Sequence, residues 1–273
     1  MKLSLYFYLF NAAKRQFDLD GTVANFTSFA DEVVCSTIPS EDDTYERLFA
    51  WQDKLGIDKF KVVMTDIKLS NNRFDGDLKT VALQACTKFN LRDHRVYIIA
   101  DADERFPLSN KPLWVEAAQR LMITNVDGLL IPVLDLYGDE QHIRADKDIG
   151  CKFRMHKASI VRRGVIPEAE YMDGHFNTSL SDSTEPITEY GQLGRFVHVV
   201  GNPRSLDPYH AKALIYSPYC LHYGYLDIQR RIKLNNEFWR GHWENRSGHT
   251  EKMESYETEL TNLMSAKHGL PIT

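Results

Sequence analysis

The chain has 273 residues, of which 43% are hydrophobic and 26% charged, so its composition is that of a globular protein long enough to bury a sizeable core. These values exclude pervasive disorder, collagen, a coiled coil and a multi-span membrane protein. The net charge of −5, from 33 Lys+Arg against 38 Asp+Glu, excludes a strongly basic protein that coats nucleic acid. It does not exclude a local basic patch.

The cysteines and the N-terminal run indicate the compartment. Four widely spaced cysteines without a C-x-x-C pair predict neither a disulfide framework nor a zinc site, and they are typical of a reducing cytosol. The apolar run at residues 3–10 is too short to span a bilayer, and Lys14 and Arg15 follow it where a signal peptide would have small residues. We therefore expect a buried first strand, no transmembrane segment and a cytoplasmic protein.

Strand and helix patterns alternate through the first half of the chain. Apolar or β-branched runs predict strands at residues 3–10, 32–37, 60–64, 95–100 and 128–136. Apolar residues at helical spacing predict helices between them, around residues 23–29, 45–55, 78–89 and 113–123. This repeated order predicts an α/β fold with a mostly parallel sheet and helices on both faces.

The second half is less regular. Residues 152–161 resemble a strand pair or a strand with a turn, and residues 167–194, rich in Asp, Ser, Thr and Gly, predict a long loop. Helical patterns follow at residues 226–239 and 251–266. No linker composition or internal repeat divides the chain.

One pair of acids directly follows the fourth predicted strand. Asp101 and Asp103 form a D-x-D triplet, a pattern that also begins at Asp18, Asp75 and Asp146 and needs structural context to mean anything. Only the triplet at Asp101 lies at the carboxyl end of an apolar strand, where parallel sheets bind ligands. Alternate carboxylates there can hold Mg²⁺ or Mn²⁺, and the metal can bridge a nucleotide diphosphate. The alternative is a solvated turn at the end of the strand.

Three further features have both a functional and a structural interpretation. His222, among aromatic residues, is either a core histidine or the group that completes a metal site begun by the upstream acids. Lys79, at a helix entrance, can touch phosphate or a nucleoside, although the acids beside it also suit helix capping. Residues 151–164 hold five cations and no acid, which indicates an anion-facing surface or a solvated strand face.

Several common catalytic motifs are missing from the sequence. It has no G-x-S-x-G elbow, no P-loop, no dinucleotide G-x-G-x-x-G, no H-E-x-x-H and no kinase motif set. The commonest hydrolases, ATPases and nicotinamide enzymes are therefore disfavoured.

Five segments, in this order, resemble the family-2-like glycosyltransferases with a GT-A fold. FADEVVCSTIPSEDDTYERL (residues 29–48) resembles the family's cDEvvv…gSsDgT…l segment, and DGDLKTVALQ (75–84) the helix leading to the metal strand. VYIIADADERF (96–106) is similar to the strand that ends in D-x-D, and DGLLIPVLDLYG (127–138) to the strand after it. YSPYCLHYGYLD (216–227) resembles a late yHyGw motif of one branch, so that the likeness covers roughly residues 3–240.

The resemblance implies a GT-A, Rossmann-like catalytic domain at residues 1–240, followed by a helical extension at 241–273. Within that domain, residues 1–140 would bind a nucleotide-sugar donor and residues 141–240 would face the acceptor hydroxyl. The resemblance also implies Mn²⁺ or Mg²⁺ as cofactor. Carried over by position, Asp101 would face the ribose or the metal, Asp103 would bind the metal, and His222 would be the late metal ligand.

The donor nucleotide is less well defined by the resemblance. Thr37, Asp42 and Lys79 would lie near the nucleoside. Many relatives have an aspartate directly after the second strand to read the base, whereas this chain has Thr37 there. The identity of the donor nucleotide therefore stays open.

An inverting transfer also needs a carboxylate base that takes the acceptor proton. In family-2-like enzymes this base lies well downstream of D-x-D. Asp173, in YMDGH, is our candidate, with Glu168 as the second choice. Asp173 as an ordinary loop acid is the alternative interpretation.

Two other classes of function compete with a glycosyltransferase. A nucleotidyltransferase on a related fold would need a glycine-rich basic loop after the first strand, and residues 10–15 have the cations but no glycine. A non-catalytic sugar- or nucleic-acid-binding protein could use the basic stretch together with Phe238, Trp239 and Trp243. The acceptor of a transferase could be a glycan, a lipid-linked sugar, a protein or modified DNA.

Overall fold

The computed structural model describes residues 1–67, 74–87, 95–123, 128–143, 150–157, 197–199, 218–227, 230–231 and 270–271. The α-helices in these ranges are α1 Leu19–Phe29, α2 Thr44–Leu55, α3 Phe74–Thr87 and α4 Lys111–Ile123, and 3₁₀ turns cover Leu108–Asn110 and Tyr223–Tyr225. The strands are β1 Lys2–Tyr8, β2 Glu32–Thr37, β3 Phe60–Met64, β4 Arg95–Ile99, β5 Glu104–Arg105, β6 Gly128–Tyr137, β7 Asp139–Ile143, β8 Gly150–Lys157, β9 Val197–Val199, β10 Cys220–His222 and β11 Leu270–Pro271.

The first four strands form a parallel sheet in the spatial order β3-β2-β1-β4. In the middle of this sheet, Leu5 of β1 lies opposite Val33 of β2 on one side and Ile98 of β4 on the other. The near-continuous apolar sequence of β1 suits this position, because a strand with helices on both faces buries all its side chains. The predicted parallel sheet is therefore confirmed, and the carboxyl ends of its strands lie at one edge.

The strand β8 departs from the simple strand–helix alternation. It lies between β4 and β6 and runs antiparallel to both. Its residue Met155 is paired with Ile98 on one side and with Leu129 on the other. The part of the chain where the sequence pattern becomes less regular therefore contributes a central strand, and this strand runs past the end of β4.

Helices cover both faces of the sheet, as predicted. On one face Leu5 and Phe7 of β1 pack into the main core with residues of α1, α2 and α4, among them Phe26, Phe29, Leu48 and Trp114. Burying each of these large side chains contributes about 1.5–3 kcal/mol. The helix α3 lies on the opposite face, where Leu78 packs with Phe10 and Ile38, and the Ser36 hydroxyl donates to the Leu78 carbonyl at 2.6 Å.

Residues from late in the chain join the sheet next to the turn after β4. The strand β10 pairs antiparallel with β5, with His222 opposite Glu104, and parallel with β6, with His222 opposite Asp135. These two ladders position His222 beside residues that precede it by about 90 to 120 positions in the chain.

Much of the remaining C-terminal prediction lies outside the described residues. This holds for the long loop at 167–194, for the helix at 251–266 and for most of the helix at 226–239. Leu270–Pro271, within the predicted extension, pairs antiparallel with β7. The division into a domain at 1–240 and an extension at 241–273 stays a prediction. None of the helices in the described ranges has the length and apolarity that crossing a bilayer requires.

Candidate active site

The D-x-D residues lie in a tight turn after β4. The backbone N–H of Glu104 donates to the carbonyl of Asp101 at 3.0 Å, which closes the turn. The Glu104 side chain also turns back, and its Oε2 accepts the N–H of Asp101 at 3.0 Å. Because both ends of the turn are tied to each other, the backbone fixes the direction in which Asp103 points.

Asp103 faces His222 across the site. The distance between Asp103 Oδ2 and His222 Nε2 is 3.2 Å, and the other ring nitrogen, Nδ1, lies 2.6 Å from Asp135 Oδ1. All three side chains are largely buried. Asp135 thus orients the imidazole by holding Nδ1, which leaves Nε2 directed at Asp103.

The charges of this trio favour a cation between the two carboxylates. Burial lowers the pKa of His222, but the neighbouring carboxylates of Asp103 and Asp135 more than offset burial and raise it to about 9. Burial likewise raises the pKa of Asp103, but the His222 charge and hydrogen bond hold this pKa well below its usual range. The local field therefore stabilises positive charge next to Asp103.

The space beside this pair suits a divalent cation. A Cβ atom on Gly224 would lie 2.6 Å from His222 Nε2 and 3.4 Å from Asp103 Oδ2, so the missing side chain leaves a small cradle there. A neutral imidazole nitrogen and a carboxylate oxygen are ligands that Mn²⁺ accepts. In metal sites, a second carboxylate commonly orients the ligating histidine.

Within the described ranges, no group of three or more His, Cys, Asp or Glu side chains is arranged to hold a metal. Asp103 and His222 are the two described side chains that could ligate a cation here, and its other coordination positions would need oxygens from outside this pair.

No sequence motif assigns a role to Asp135. The available signal was its position, since it is the one charged residue within the apolar run at 128–136. A buried acid inside an otherwise apolar strand requires a partner, and here the partner is His222.

Asp101 belongs to a second charged cluster, which we call the Asp101 cluster; its members are Lys79, Asp101, Glu104, Lys152 and Arg154. Asp101 Oδ1 accepts from Lys79 Nζ at 2.8 Å, and Oδ2 accepts from Arg154 Nη2 at 2.6 Å and Lys152 Nζ at 3.1 Å. Burial raises the pKa of Asp101, but the three cations hold it well below its usual range. As its oxygens bind these cations, Asp101 is poorly placed to be a direct metal ligand.

The Asp101 cluster changes the interpretation of the basic stretch at 151–164. Lys152 and Arg154 are both buried, and they face carboxylates of their own chain instead of solvent. The interpretation as a solvated strand face is therefore wrong for these two residues. The remaining part of the stretch, from residue 158 onward, lies outside the described residues.

The residues expected near the nucleoside have different surroundings. Lys79 contacts Asp101, as given above, and lies 5.9 Å above the ring of Tyr8. Thr37 is fully buried, and its hydroxyl donates to the Ile38 carbonyl at 3.2 Å. The carboxylate of Asp42 accepts the N–H groups of Lys14 at 2.9 Å and Thr44 at 3.1 Å, so it helps to hold two loops together. The structure thus joins Lys79 to the D-x-D turn and gives Asp42 a local structural role.

The two candidate bases, Asp173 and Glu168, lie outside the described residues.

One more charged residue acts on the site, Arg231, which none of the sequence motifs includes. Arg231 packs over the ring of Tyr225, at 5.0 Å from its centroid, and contributes to the low pKa of Asp103. The positive charge of Arg231 therefore acts on the same side of the site as Asp103.

No protein-family model matches the chain, and no curated protein matches it either. Solved structures give matches of low identity. S. aureus TarS 1–349 in complex with UDP-GlcNAc is 17% identical over 60% of this chain and 47% of that chain, with a TM-score of 0.40. The mannosyltransferase PcManGT from Pyrobaculum calidifontis, in complex with GDP-Man and Mn²⁺, is 13% identical over 84% of this chain and 60% of that chain, with a TM-score of 0.41.

A third solved structure is a synthase. 4-Diphosphocytidyl-2C-methyl-D-erythritol synthase is 11% identical over 78% of this chain and 99% of that chain, with a TM-score of 0.42. The match covers about half of TarS 1–349 in the UDP-GlcNAc complex, 80% of the same protein in its UDP complex and nearly the whole length of the synthase. Because the sequence identities and TM-scores are this low, the matches do not assign an activity to this chain.

Proposed function

We propose that this protein is a metal-dependent glycosyltransferase of the GT-A, family-2-like type, which moves a sugar from a nucleotide-sugar donor to an acceptor hydroxyl. The observation that carries the proposal is the trio Asp103–His222–Asp135 next to Asp101, at the carboxyl end of β4 in a mostly parallel sheet. Ligands bind parallel sheets at this edge. Each member of the trio comes from a different one of the ordered segments that resemble the family, and His222 follows Asp103 by 119 residues.

The mechanism assigns a role to each of these side chains. Asp103 and His222 would hold Mn²⁺ or Mg²⁺; His222 would give up its Nε2 proton on binding the ion, while Asp135 keeps the proton on Nδ1 and the ring in place. When bound, the divalent ion supplies Lewis-acid stabilisation of the negative charge that develops on the leaving nucleoside diphosphate. The position of Asp101 in the sequence motif assigns it to the ribose, and a ribose hydroxyl would have to donate to a carboxylate oxygen that already accepts from Lys79 or from Arg154.

The remaining assignments of the proposal rest on the sequence. Thr37, Asp42 and Lys79 would line the nucleoside site, and Asp173, with Glu168 as the second choice, would take the proton from the acceptor in an inverting transfer. The sugar would be a hexose or a pentose, and the acceptor a glycan or another hydroxyl-bearing molecule, modified DNA included. Three buried free thiols, Cys35, Cys86 and Cys220, are in keeping with the proposed cytoplasmic location.

A nucleotidyltransferase is the second candidate, and the loop after β1 argues against it. Phosphate binding by such a loop requires free backbone N–H groups. Here the N–H groups of residues 11–17 donate to side chains of the loop after β2, to the hydroxyl of Thr44 at the start of α2, or to carbonyls of their own loop. Asn11 and Gln16 have left-handed φ angles of 48° and 55°, so the loop has a defined shape that uses its donors internally.

A non-catalytic nucleic-acid-binding protein is also disfavoured. That function would need the basic stretch to present its cations to a polyanion. Lys152 and Arg154, the first two cations of the stretch, are instead buried against Asp101 and Glu104. Two of the five cations of the stretch are therefore unavailable to a phosphate backbone, and Arg162 and Arg163 lie outside the described residues.

A thermal-shift screen tests the proposed function without knowledge of the acceptor. UDP-, GDP-, dTDP- and CDP-sugars are each added with Mn²⁺, and a ligand that binds the native state raises the Tm by mass action. We expect at least one donor to raise the Tm of the wild-type protein with Mn²⁺ and to fail with Asp103→Asn. Asp139→Asn, at an exposed site on β7, is the matched control. The proposal is contradicted when no donor changes the Tm, or when Asp103→Asn responds like the wild type.

A further inference from the structure

Arg154 makes an unusual contact beneath the D-x-D turn. It lies on β8, its side chain is fully buried, and its Nη2 donates both to Asp101 Oδ2, at 2.6 Å, and to Glu104 Oε1. One guanidinium nitrogen thus bridges the first and the last residue of the turn. Neither Arg154 nor Glu104 has a part in the function proposed above.

Glu104 connects this bridge to the other half of the site. It is the first residue of β5, and in the β5–β10 ladder it is paired with His222. One residue further on, the N–H of Tyr223 donates to the carbonyl of Asp103 at 2.7 Å. A shift of Glu104 therefore moves the ladder that carries His222 relative to the turn that carries Asp103.

We propose that Arg154 is a positioning residue for the Asp103–His222 pair. By holding Asp101 and Glu104 at fixed places, it sets the approach of Asp103 Oδ2 to His222 Nε2, and with it the affinity of the metal site on which the proposed function rests. Side chains one step removed from a metal ligand commonly change metal affinity by about ten- to a hundredfold. The planar guanidinium suits this task because its donors have a fixed geometry.

The competing explanation is that Arg154 matters only for its charge. Lys152 offers a matched comparison, because it carries the same charge and contacts the same two carboxylates, at 3.1 Å from Asp101 and 3.6 Å from Glu104. Its ammonium group is a point charge on a flexible stem and imposes little geometry. Arg154→Lys keeps the charge and removes the fixed bridge, whereas Lys152→Met removes a charge and keeps the bridge.

Two measurements on the full chain distinguish geometry from charge. In the first, Mn²⁺ binding is titrated by calorimetry; we expect Arg154→Lys to weaken it about tenfold or more and Lys152→Met to leave it unchanged. In the second, the ¹⁵N chemical shifts of the His222 ring are recorded without metal; we expect them to change in Arg154→Lys and to be retained in Lys152→Met. Glu104→Ala, which removes the other acceptor of the bridge, should behave like Arg154→Lys.

The proposal is overturned when the effects follow charge, that is, when Lys152→Met loses Mn²⁺ affinity and Arg154→Lys binds like the wild type. It is also overturned when the His222 ring signals are the same in wild type, Arg154→Lys and Glu104→Ala. A wild-type protein that binds no Mn²⁺ contradicts the proposed function instead, and the ring signals then decide the role of Arg154 by themselves.

Discussion

A buried histidine on β8 makes the stability of this fold depend on pH. His156 lies on β8, fully buried, with its ring stacked on Tyr97 at a centroid distance of 5.3 Å. Its Nδ1 donates to the carbonyl of Lys157 at 3.1 Å, and its Nε2 accepts from the Tyr6 hydroxyl at 3.0 Å. The neutral imidazole is therefore fully hydrogen-bonded. Burial disfavours its charged form and lowers the pKa of His156 to about 4.

The size of the effect follows from the two pKa values. The folded-state pKa of about 4 lies below the ordinary 6.5, and this gap corresponds to about 3 kcal/mol at most. The unfolded chain takes up the proton first as the pH falls below 6.5, so the free energy of unfolding decreases from there down to about pH 4. At pH 5.0 the loss from this one residue amounts to about 2 kcal/mol, and at pH 7.5 it is close to zero.

Urea unfolding at pH 7.5 and pH 5.0 measures this loss. Other groups also respond to pH, so the relevant quantity is the difference between wild type and His156→Gln, in which the amide keeps a donor and an acceptor. We expect this difference in the free energy of unfolding to shrink by about 2 kcal/mol from pH 7.5 to pH 5.0. His142→Gln, on β7 near the surface, controls for the loss of an imidazole. An equal difference at both pH values refutes the reasoning.

Three further predictions concern the metal site. Asp135→Asn should lower Mn²⁺ affinity about ten- to a hundredfold in a calorimetric titration, because the His222 ring loses the carboxylate that orients it; an unchanged affinity contradicts this role. Gly224→Ala should also weaken Mn²⁺ binding, since its methyl group would lie 2.6 Å from His222 Nε2, and Gly224 has no left-handed φ that would make alanine strained on its own account; wild-type affinity would show that the cradle is unimportant. His222→Ala should abolish the rise in Tm that Mn²⁺ produces in the wild type, and a full rise in this variant rules out His222 as a ligand.

The sequence predicts the sheet well because its signals are local. The strands β1 to β4 are apolar runs, and the segments between them have apolar residues at helical spacing. Each of these patterns can be recognised within a short window of sequence. The insertion of β8 between β4 and β6 could not be predicted in this way. It depends on antiparallel pairing with strands that lie far away in the chain, and no local pattern encodes the partner of a strand.

The same distinction applies to the site. Asp101, Asp103 and His222 could be selected from the sequence, and the fold brings the last two within 3.2 Å of each other, although their roles as metal ligands stay predictions. In the sequence, Arg154 is only one member of a basic stretch, because its partners Asp101 and Glu104 lie about 50 residues upstream. Charges that neutralise each other across strands look like separate charged segments in a sequence.

The most direct test of the central claim is the turnover of nucleotide-sugar donors. The release of nucleoside diphosphate from UDP-, GDP-, dTDP- and CDP-sugars is followed with Mn²⁺ and with EDTA, for wild type, Asp103→Asn and the exposed control Asp139→Asn. We predict Mn²⁺-dependent release from at least one donor by wild type and by Asp139→Asn, and only the background rate with Asp103→Asn. Release that continues in EDTA, or that Asp103→Asn catalyses at the wild-type rate, would contradict a metal-dependent glycosyltransferase centred on Asp103.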